Sequence, residues 1–466
     1  MLTKLTHPII LLCSIEVKNV KFYILFIFCL LFVNFLFFLY SKPYPIYKVS
    51  MNNSGFKWGI FTARLPIMHM RIEWPLLLQG LVVSLSTALA LIPLLTTSFG
   101  LSFEEAVTIA MLHMMLVTSS VILFGEPFAA GWITPALPLV LALVIGGYET
   151  PAERFQMMTA LSLNFAAITL IMAFTGLGRK FFNFVPASLK AGMILAAALT
   201  AFKRIFYDDI EQFKEMPISF LLAIITCLII LYLPAYQKLK HHYKSAAFIA
   251  SFGLLPGFII AGLFGAYSGE MTFNIEGGFL IPPLGELMSK ISPFSIGFPP
   301  AAYFISALPL AFMTYLLLFS DLVTGTALIK DNQKFRPDDK VDLNLNRTHY
   351  SLSIRNFIMA LFAPFFPTQG VLWAGAQIIV IERWVEGKEK LESLIGGISA
   401  FYYYAVPIVF LILPIVTFLR PFMPIALMLT LLLTGIACTK LALKIAHKNT
   451  DKAIMLIVAT LITLYI

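Results

Sequence analysis

Long apolar runs separated by short polar connections recur from residue 74 to the end of the chain. Thirteen of them stand out: 74–97, 106–123, 133–145, 158–174, 191–202, 218–233, 246–267, 301–329, 354–366, 371–381, 395–419, 423–443 and 453–466. A helix of about 20 apolar residues crosses a hydrocarbon layer of about 30 Å, so most of these runs predict membrane-spanning helices. Runs 133–145, 191–202 and 371–381 are too short for a straight crossing and predict half-length helices or helices that extend past their polar neighbours. Two of them follow a break in the apolar pattern. Gly131, Thr134 and Pro135 interrupt the stretch 128–145, while Pro364, Pro367, Thr368, Gln369 and Gly370 interrupt 363–377. In hydrocarbon an unpaired backbone N–H or C=O is costly, so irregular backbone survives only inside protein or beside a polar cavity. Two such breaks at matching places in two halves point to a binding site near the membrane midplane.

Composition agrees with the pattern. Of 466 residues, 59% are hydrophobic and only 12% charged, with 43 Phe, a profile outside that of soluble globular domains. The net charge of +9 gathers on one side. Taking the residues before Trp74 as cytoplasmic, the inner connections carry 22 Lys and Arg against 6 on the outer ones, which fixes the orientation by the positive-inside rule. The charge is thus a topology signal, and no nucleic-acid partner is expected. Four cysteines, at 13, 29, 227 and 438, lie scattered in apolar stretches without metal or disulfide spacing and read as packing residues. The segment 22–40 is a further apolar stretch flanked by basic residues on both sides, so it is assigned with 1–73 to an N-terminal extension that Met51, as an alternative start, would shorten.

Several motifs resemble the nucleobase/ascorbate (uracil/xanthine) permeases, which share a fold with the sulfate-permease anion carriers. Leu78-Gln79 opens a span ending near Ile92-Pro93, with Gly80 where that family has a histidine. Gly176-Leu177-Gly178-Arg179-Lys180, then Val185-Pro186 and Lys190-Ala191-Gly192, is similar to the entry of its fifth helix. Asn356 to Thr368 (NFIMALFAPFFPT) resembles the approach to its broken tenth helix, including the Pro367-Thr368 pair. The resemblance runs from about residue 74 to 443. It implies an all-α polytopic membrane protein built as a seven-plus-seven inverted repeat with two broken helices. A core part would comprise 74–176 and 301–419, a gate part 177–267 and 420–466, with 268–300 as an outer connection and the last helix truncated at residue 466. Where the family carries a Glu-Asn pair after Pro-Thr, this chain has Leu372, Trp373 and Ala374. The nearest acid to the family's eighth-helix glutamate is Asp321.

The expected substrate-binding set is Gln79, Trp132, Ile133, Thr134 and Pro135, Asp321, and Thr368, Gln369, Gly370 and Val371. Each half-helix begins at a break, so its free N–H groups and positive dipole end would face the solute. Asp321, deep in an apolar run, is the candidate ion-coupling acid, with His113 second. Arg355, Glu382 and Arg383 read as interface anchors or gate pairs. These features predict a secondary carrier for a small polar or anionic organic solute, a nucleobase-like compound among the candidates, driven by a proton or sodium ion. A sulfate-permease-like anion exchanger or channel is the alternative, and a non-transporting scaffold a third reading. No Walker loop and no acid/base or metal cluster marks an enzyme, and no cofactor is expected. The expected partners are the solute, the coupling ion, the lipid bilayer and a second copy of the chain, and the expected location is the cell (inner) membrane.

Overall fold

A computed structural model describes residues 55–65, 68–89, 91–184, 186–208, 210–250, 252–402 and 409–465. The apolar stretch 22–40 and the alternative start at Met51 lie outside them. The chain is an all-α polytopic membrane protein, with one short β-hairpin among the described residues. In that hairpin β1 (Phe56–Trp58) pairs antiparallel with β2 (Phe61–Ala63). The hairpin is tied to the membrane bundle: the Trp58 indole N–H donates to the Leu123 carbonyl at 2.8 Å, and the Arg64 amide to the Ile122 carbonyl at 2.7 Å.

The helices that carry the site are numbered here in chain order. The first half contributes α1 (Trp74–Ala88), α2 (Phe103–Ile122), α3 (Leu137–Gly147), α4 (Pro151–Thr175), α5 (Ala187–Lys203), α6 (Pro217–Tyr232), α7 (Pro234–His242) and α8 (Leu255–Ser268). The second contributes α9 (Ala301–Asn332), α10 (Leu345–Phe362), α11 (Ala374–Trp384), α12 (Leu394–Tyr402), α13 (Met423–Ile445) and α14 (Asn449–Tyr465). Local chemistry sets their ends. Ser102 and Glu105 form a capping box at the start of α2, and Thr150 and Glu153 another at α4, where Pro151 occupies the first turn at no cost in hydrogen bonds. Gly176 closes α4 in the left-handed conformation at φ 66°. Pro364, which has no N–H, follows the end of α10.

Among the described residues, Phe103–Ile122, Pro151–Thr175, Ala301–Phe335 and Leu413–Ile445 are long and apolar enough to cross a membrane. Pro217–Tyr232 and Pro234–Lys240 form a further broken span, bent by 62°. Outward faces are apolar at helical spacing, as lipid requires. On α9 they include Ile305, Leu308, Phe312 and Leu316; on α14, Ile454, Ile457, Leu461 and Leu464.

The thirteen runs map onto these helices with differences at five of them. The run 74–97 is divided between α1 and a second helix, Leu91–Phe99, and 246–267 between Lys244–Ala250 and α8. The run 354–366 is the second half of α10, which begins at Leu345 because Arg347 and His349 find buried partners and need no water. The run 191–202 is a full helix of 17 residues. The run 395–419 is divided into α12 and a separate short helix, Leu413–Leu419, on either side of residues outside the described set. Connections assigned by charge to the same side meet one another. On the outer side Lys290 pairs with Glu105 at 2.6 Å; on the inner side Lys444 pairs with Asp331 at 2.6 Å and Lys240 with Glu386 at 3.2 Å.

Candidate functional site

The two breaks cross in the middle of the protein and satisfy each other's backbone. The Ile133 amide donates to the Pro367 carbonyl (3.0 Å), the Gly370 amide to the Gly131 carbonyl (2.7 Å) and the Trp373 amide to the Ala129 carbonyl (2.6 Å). The second segment advances three residues for every two of the first, so this is a bulged crossing and not a regular ladder. Glycine is required on both strands. A Cβ on Gly131 would lie 2.5 Å from the Trp373 Cβ, and one on Gly370 would lie 2.5 Å from the Gly131 oxygen. The half-helices α3 and α11 leave from opposite sides of this crossing. α3 is led by a short 3-10 turn, Thr134–Ala136, and α11 by Trp373 in extended conformation.

Side chains from neighbouring helices close the remaining hydrogen bonds. Gln377 on α11 reaches back to the first break, accepting from the Ala129 amide at 2.6 Å and donating to the Pro127 carbonyl at 3.3 Å. Tyr402 on α12 donates to the Ala130 carbonyl at 2.6 Å. His113 on α2 contacts the Ala363 carbonyl through Nε2 (2.9 Å) and the Thr368 hydroxyl through Nδ1. A carbonyl only accepts, so Nε2 carries a proton. The Gln369 side-chain Nε2 donates to the His113 carbonyl at 3.2 Å. His113 thus holds the second break at three points.

α10 carries the groups that join everything. Asn356 donates to the Gln369 carbonyl at 2.9 Å, and Arg355 donates to the Gln369 side-chain oxygen at 3.3 Å and the Gly370 carbonyl at 3.0 Å. Two turns earlier Arg347 (3.1 Å) and Thr348 (2.5 Å) bind Glu126, which leads into the first break. Arg355 is 1% exposed, its hydrogen bonds go to uncharged oxygens, and its Nε has no hydrogen-bond partner among the described residues. It is therefore not an anchor at the start of a span but a buried charge at the crossing. Glu126, the nearest acid, hydrogen-bonds Arg347 and Thr348 and acts on Arg355 only through space, while Arg347 is also paired with Asp342 at 2.7 Å.

Of the residues expected to bind solute, Ile133, Thr368, Gln369, Gly370 and Val371 are buried at the crossing, with Trp132 and Thr134 half-buried on the first break and Pro135 inside its 3-10 turn. Asp321 is half-buried on α9 and makes no hydrogen bond or ion pair among the described residues. One turn further, Gly325 packs against both breaks, with space for a Cβ closed by Phe128 at 2.9 Å and Leu372 at 3.3 Å. Gln79 lies elsewhere, against Gly253 in a cavity toward the inner side. The groups that sequence reasoning misses are Arg355, Asn356, Gln377 and Tyr402. A signal is present in Arg355 and Gln377, single strongly polar residues within apolar surroundings.

No protein-family model and no curated protein matches the chain. Solved structures resemble it. The transmembrane domain of a cyanobacterium bicarbonate transporter, BicA, is 14% identical, with 85% of this chain and 97% of that one covered at a TM-score of 0.49. SLC26A9 is 19% identical, with coverage of 79% and 58% at 0.46, so this chain spans little more than half of it. The murine Solute Carrier 26 family member A9 anion transporter, in the inward-facing state, is 15% identical, with coverage of 92% and 75% at 0.43.

Proposed function

We propose that this protein is a secondary carrier in the cell membrane that moves a small anion, with the crossing of the two breaks as its binding site. The observation that carries this reading is Arg355. A guanidinium removed from water costs several kcal/mol unless its charge is compensated, and here its partners are neutral oxygens. The start of α11 adds a positive dipole end and its first-turn amides to the same region, while α3 adds a dipole end only, its Ala136 and Leu137 amides being taken by the Ile133 and Thr134 carbonyls. A bound anion compensates both. The solute is either organic or inorganic; carboxylates that would read a nucleobase edge are replaced by Leu372, Trp373 and Ala374.

Transport requires the site to face each side in turn. The helices that build the crossing, α1–α4 and α9–α12, would move as a core part against α5–α8 and α13–α14. Supporting this division, α4 packs along α9 and α10, while α5 packs along α13 and α14, and α6 along α8. Asp321, without a partner on a helix that touches both breaks, is the proposed coupling acid for a proton or sodium ion.

Purified protein in liposomes tests the reading. Uptake of one or more small anions is expected, lost in Arg355→Gln and partly kept in Arg355→Lys, which retains the charge but not the planar fork. Anion uptake by a well-folded Arg355→Gln variant at the parental rate would sink the proposal. Counterflow without a gradient, compared with uptake driven by a proton or sodium gradient, separates exchange from coupled import.

A further inference from the structure

A cavity of about 250 Å³ lies at the seam between the two proposed parts, away from the crossing. One wall is Gln79 of α1 with Glu382, Arg383 and Glu386 at the end of α11; the other is formed by α7 and the residues around Gly253. A Cβ on Gly253 would sit 2.3 Å from the Gln79 side-chain oxygen, so the two walls approach to contact there. α11 begins at the crossing and ends at this cavity. Its 11 residues span about 16 Å at 1.5 Å per residue, so the cavity lies one half-helix from the site. It also lies on the side where Lys238, Lys240, Lys388 and Lys390 gather, the cytoplasmic side by the positive-inside rule.

Its far wall is shaped by a bend. Leu233 ends α6 in extended conformation and Pro234 starts α7 at 62° to it. Gln237 stabilises the corner by donating to the Ile230 and Leu231 carbonyls at 2.9 and 3.0 Å, two of the acceptors that the end of α6 leaves free. The bend carries α7 across the cavity and brings the Lys240 Nζ to 3.2 Å from Glu386 Oε1, an ion pair that spans the seam with both side chains partly exposed.

We propose that this cavity is the inner antechamber of the transport route and that Lys240–Glu386 is its latch, engaged in the conformation seen here. The proposal rests on the carrier reading. When the parts separate on the inner side, the pair must break, because Lys240 rides on one part and Glu386 on the other. Its strength matches that role. A partly exposed pair is worth up to about 1 kcal/mol, or about fivefold in the balance between closed and open forms, enough to bias the seam without locking it.

Cysteine labelling tests the latch independently of transport. In protein whose four native cysteines are replaced by alanine, Ile379→Cys places a thiol on the cavity wall; Val385→Cys is the substitute if the first does not fold. A membrane-impermeant maleimide is added to the cytoplasmic face of inside-out vesicles. Labelling should be about fivefold faster in Glu386→Gln and in Lys240→Met than in the parent, and slow again in the charge-swapped double variant Lys240→Glu/Glu386→Lys. Equal rates in all four proteins, or a double variant as fast as the singles, would overturn the latch. Anion uptake is read in the same vesicles. Expected labelling without any uptake removes the carrier reading and leaves the latch, whereas uptake with unchanged labelling does the reverse.

Discussion

Gly131 and Gly370 meet at the centre of the molecule, the amide of Gly370 donating to the carbonyl of Gly131 at 2.7 Å. Neither position has room for a methyl group: one Cβ would strike Trp373 and the other the Gly131 carbonyl. Gly131→Ala and Gly370→Ala should each destabilise the protein by about 1–3 kcal/mol through overpacking and abolish uptake. The two should be similarly severe, because the Trp373 Cβ and backbone are no freer to turn aside than the Gly131 oxygen. Thermal unfolding in detergent checks the stability change. A Gly370→Ala protein with parental melting temperature would show that the two breaks separate more than the structure records.

Asn356 should matter through the backbone it serves. Its amide donates to the Gln369 carbonyl at 2.9 Å within fully buried surroundings. Asn356→Ala leaves that carbonyl short of a donor and should cost about 1–3 kcal/mol, while Asn356→Asp brings a carboxylate next to the proposed anion site. The expected outcome is weakened anion binding in both, greater in Asn356→Asp, measured as loss of ligand-induced thermal stabilisation. Stronger stabilisation by an anion in Asn356→Asp would contradict the placement of the site.

Asp321→Asn should separate coupling from binding. The change keeps size and removes charge, so counterflow down a gradient is expected to persist while accumulation against one is lost. Accumulation equal to that of the parent at every pH would exclude Asp321 as the coupling acid.

Arg336 holds the inner end of the second broken helix. Although it follows α9 in a charged connection, it is 1% exposed and donates to the carbonyls of Trp384 (2.9 Å), Leu391 (2.8 Å) and Glu392 (2.9 Å). Asp339 completes the knot by accepting from the Trp384 indole and the Leu394 amide, both at 2.8 Å. Arg336→Ala should lower stability by about 3 kcal/mol, since three buried acceptors lose a charged donor. Arg336→Lys, a point charge without the fork, should recover only part of it. Unchanged unfolding of Arg336→Ala would refute the knot.

Glu270 supplies an acid limb to the stability profile. It accepts from the Ile218 amide (2.9 Å), the Ser219 amide (2.8 Å) and the Ser219 hydroxyl (2.7 Å) at the start of α6. Partial burial raises its pKa, but these hydrogen bonds outweigh it, and the carboxyl is held below its usual range. A depressed folded-state pKa means stability that is present above the unfolded value and lost as pH falls through the folded one. Melting temperature should therefore decline at pH below the ordinary carboxylate range, less steeply in Glu270→Gln. Identical acid profiles for the two proteins would assign the decline to other groups.

Hydrophobic pattern alone locates both breaks and both half-helices, because irregular backbone among apolar residues leaves Gly, Pro and Thr where helix formers would stand. It places Thr368, Gln369, Gly370 and Ile133 in one region for the same reason. It fails at α10, where a search for apolar runs treats Arg347, His349 and Arg355 as the approach to a helix. The charges and polar atoms of Arg347 and His349 are met by Glu126 and Tyr315, far away in sequence, and those of Arg355 by the second break about four turns on, approaches that no apolar pattern encodes. Gln79 misleads in the other direction. It is as buried as the site residues, at 2% exposure, but faces Gly253 across the seam.

The crossing also bears on how the protein is made. The carbonyls of Ala129 and Gly131 and the amide of Ile133 find their partners in Trp373, Gly370 and Pro367, which leave the ribosome only after most of the chain has been synthesised. Until then the first half sits in the bilayer with an unfinished edge, its polar backbone facing lipid or borrowed water. Assembly of this protein thus waits on its second half, which the connection 268–300 joins to the first.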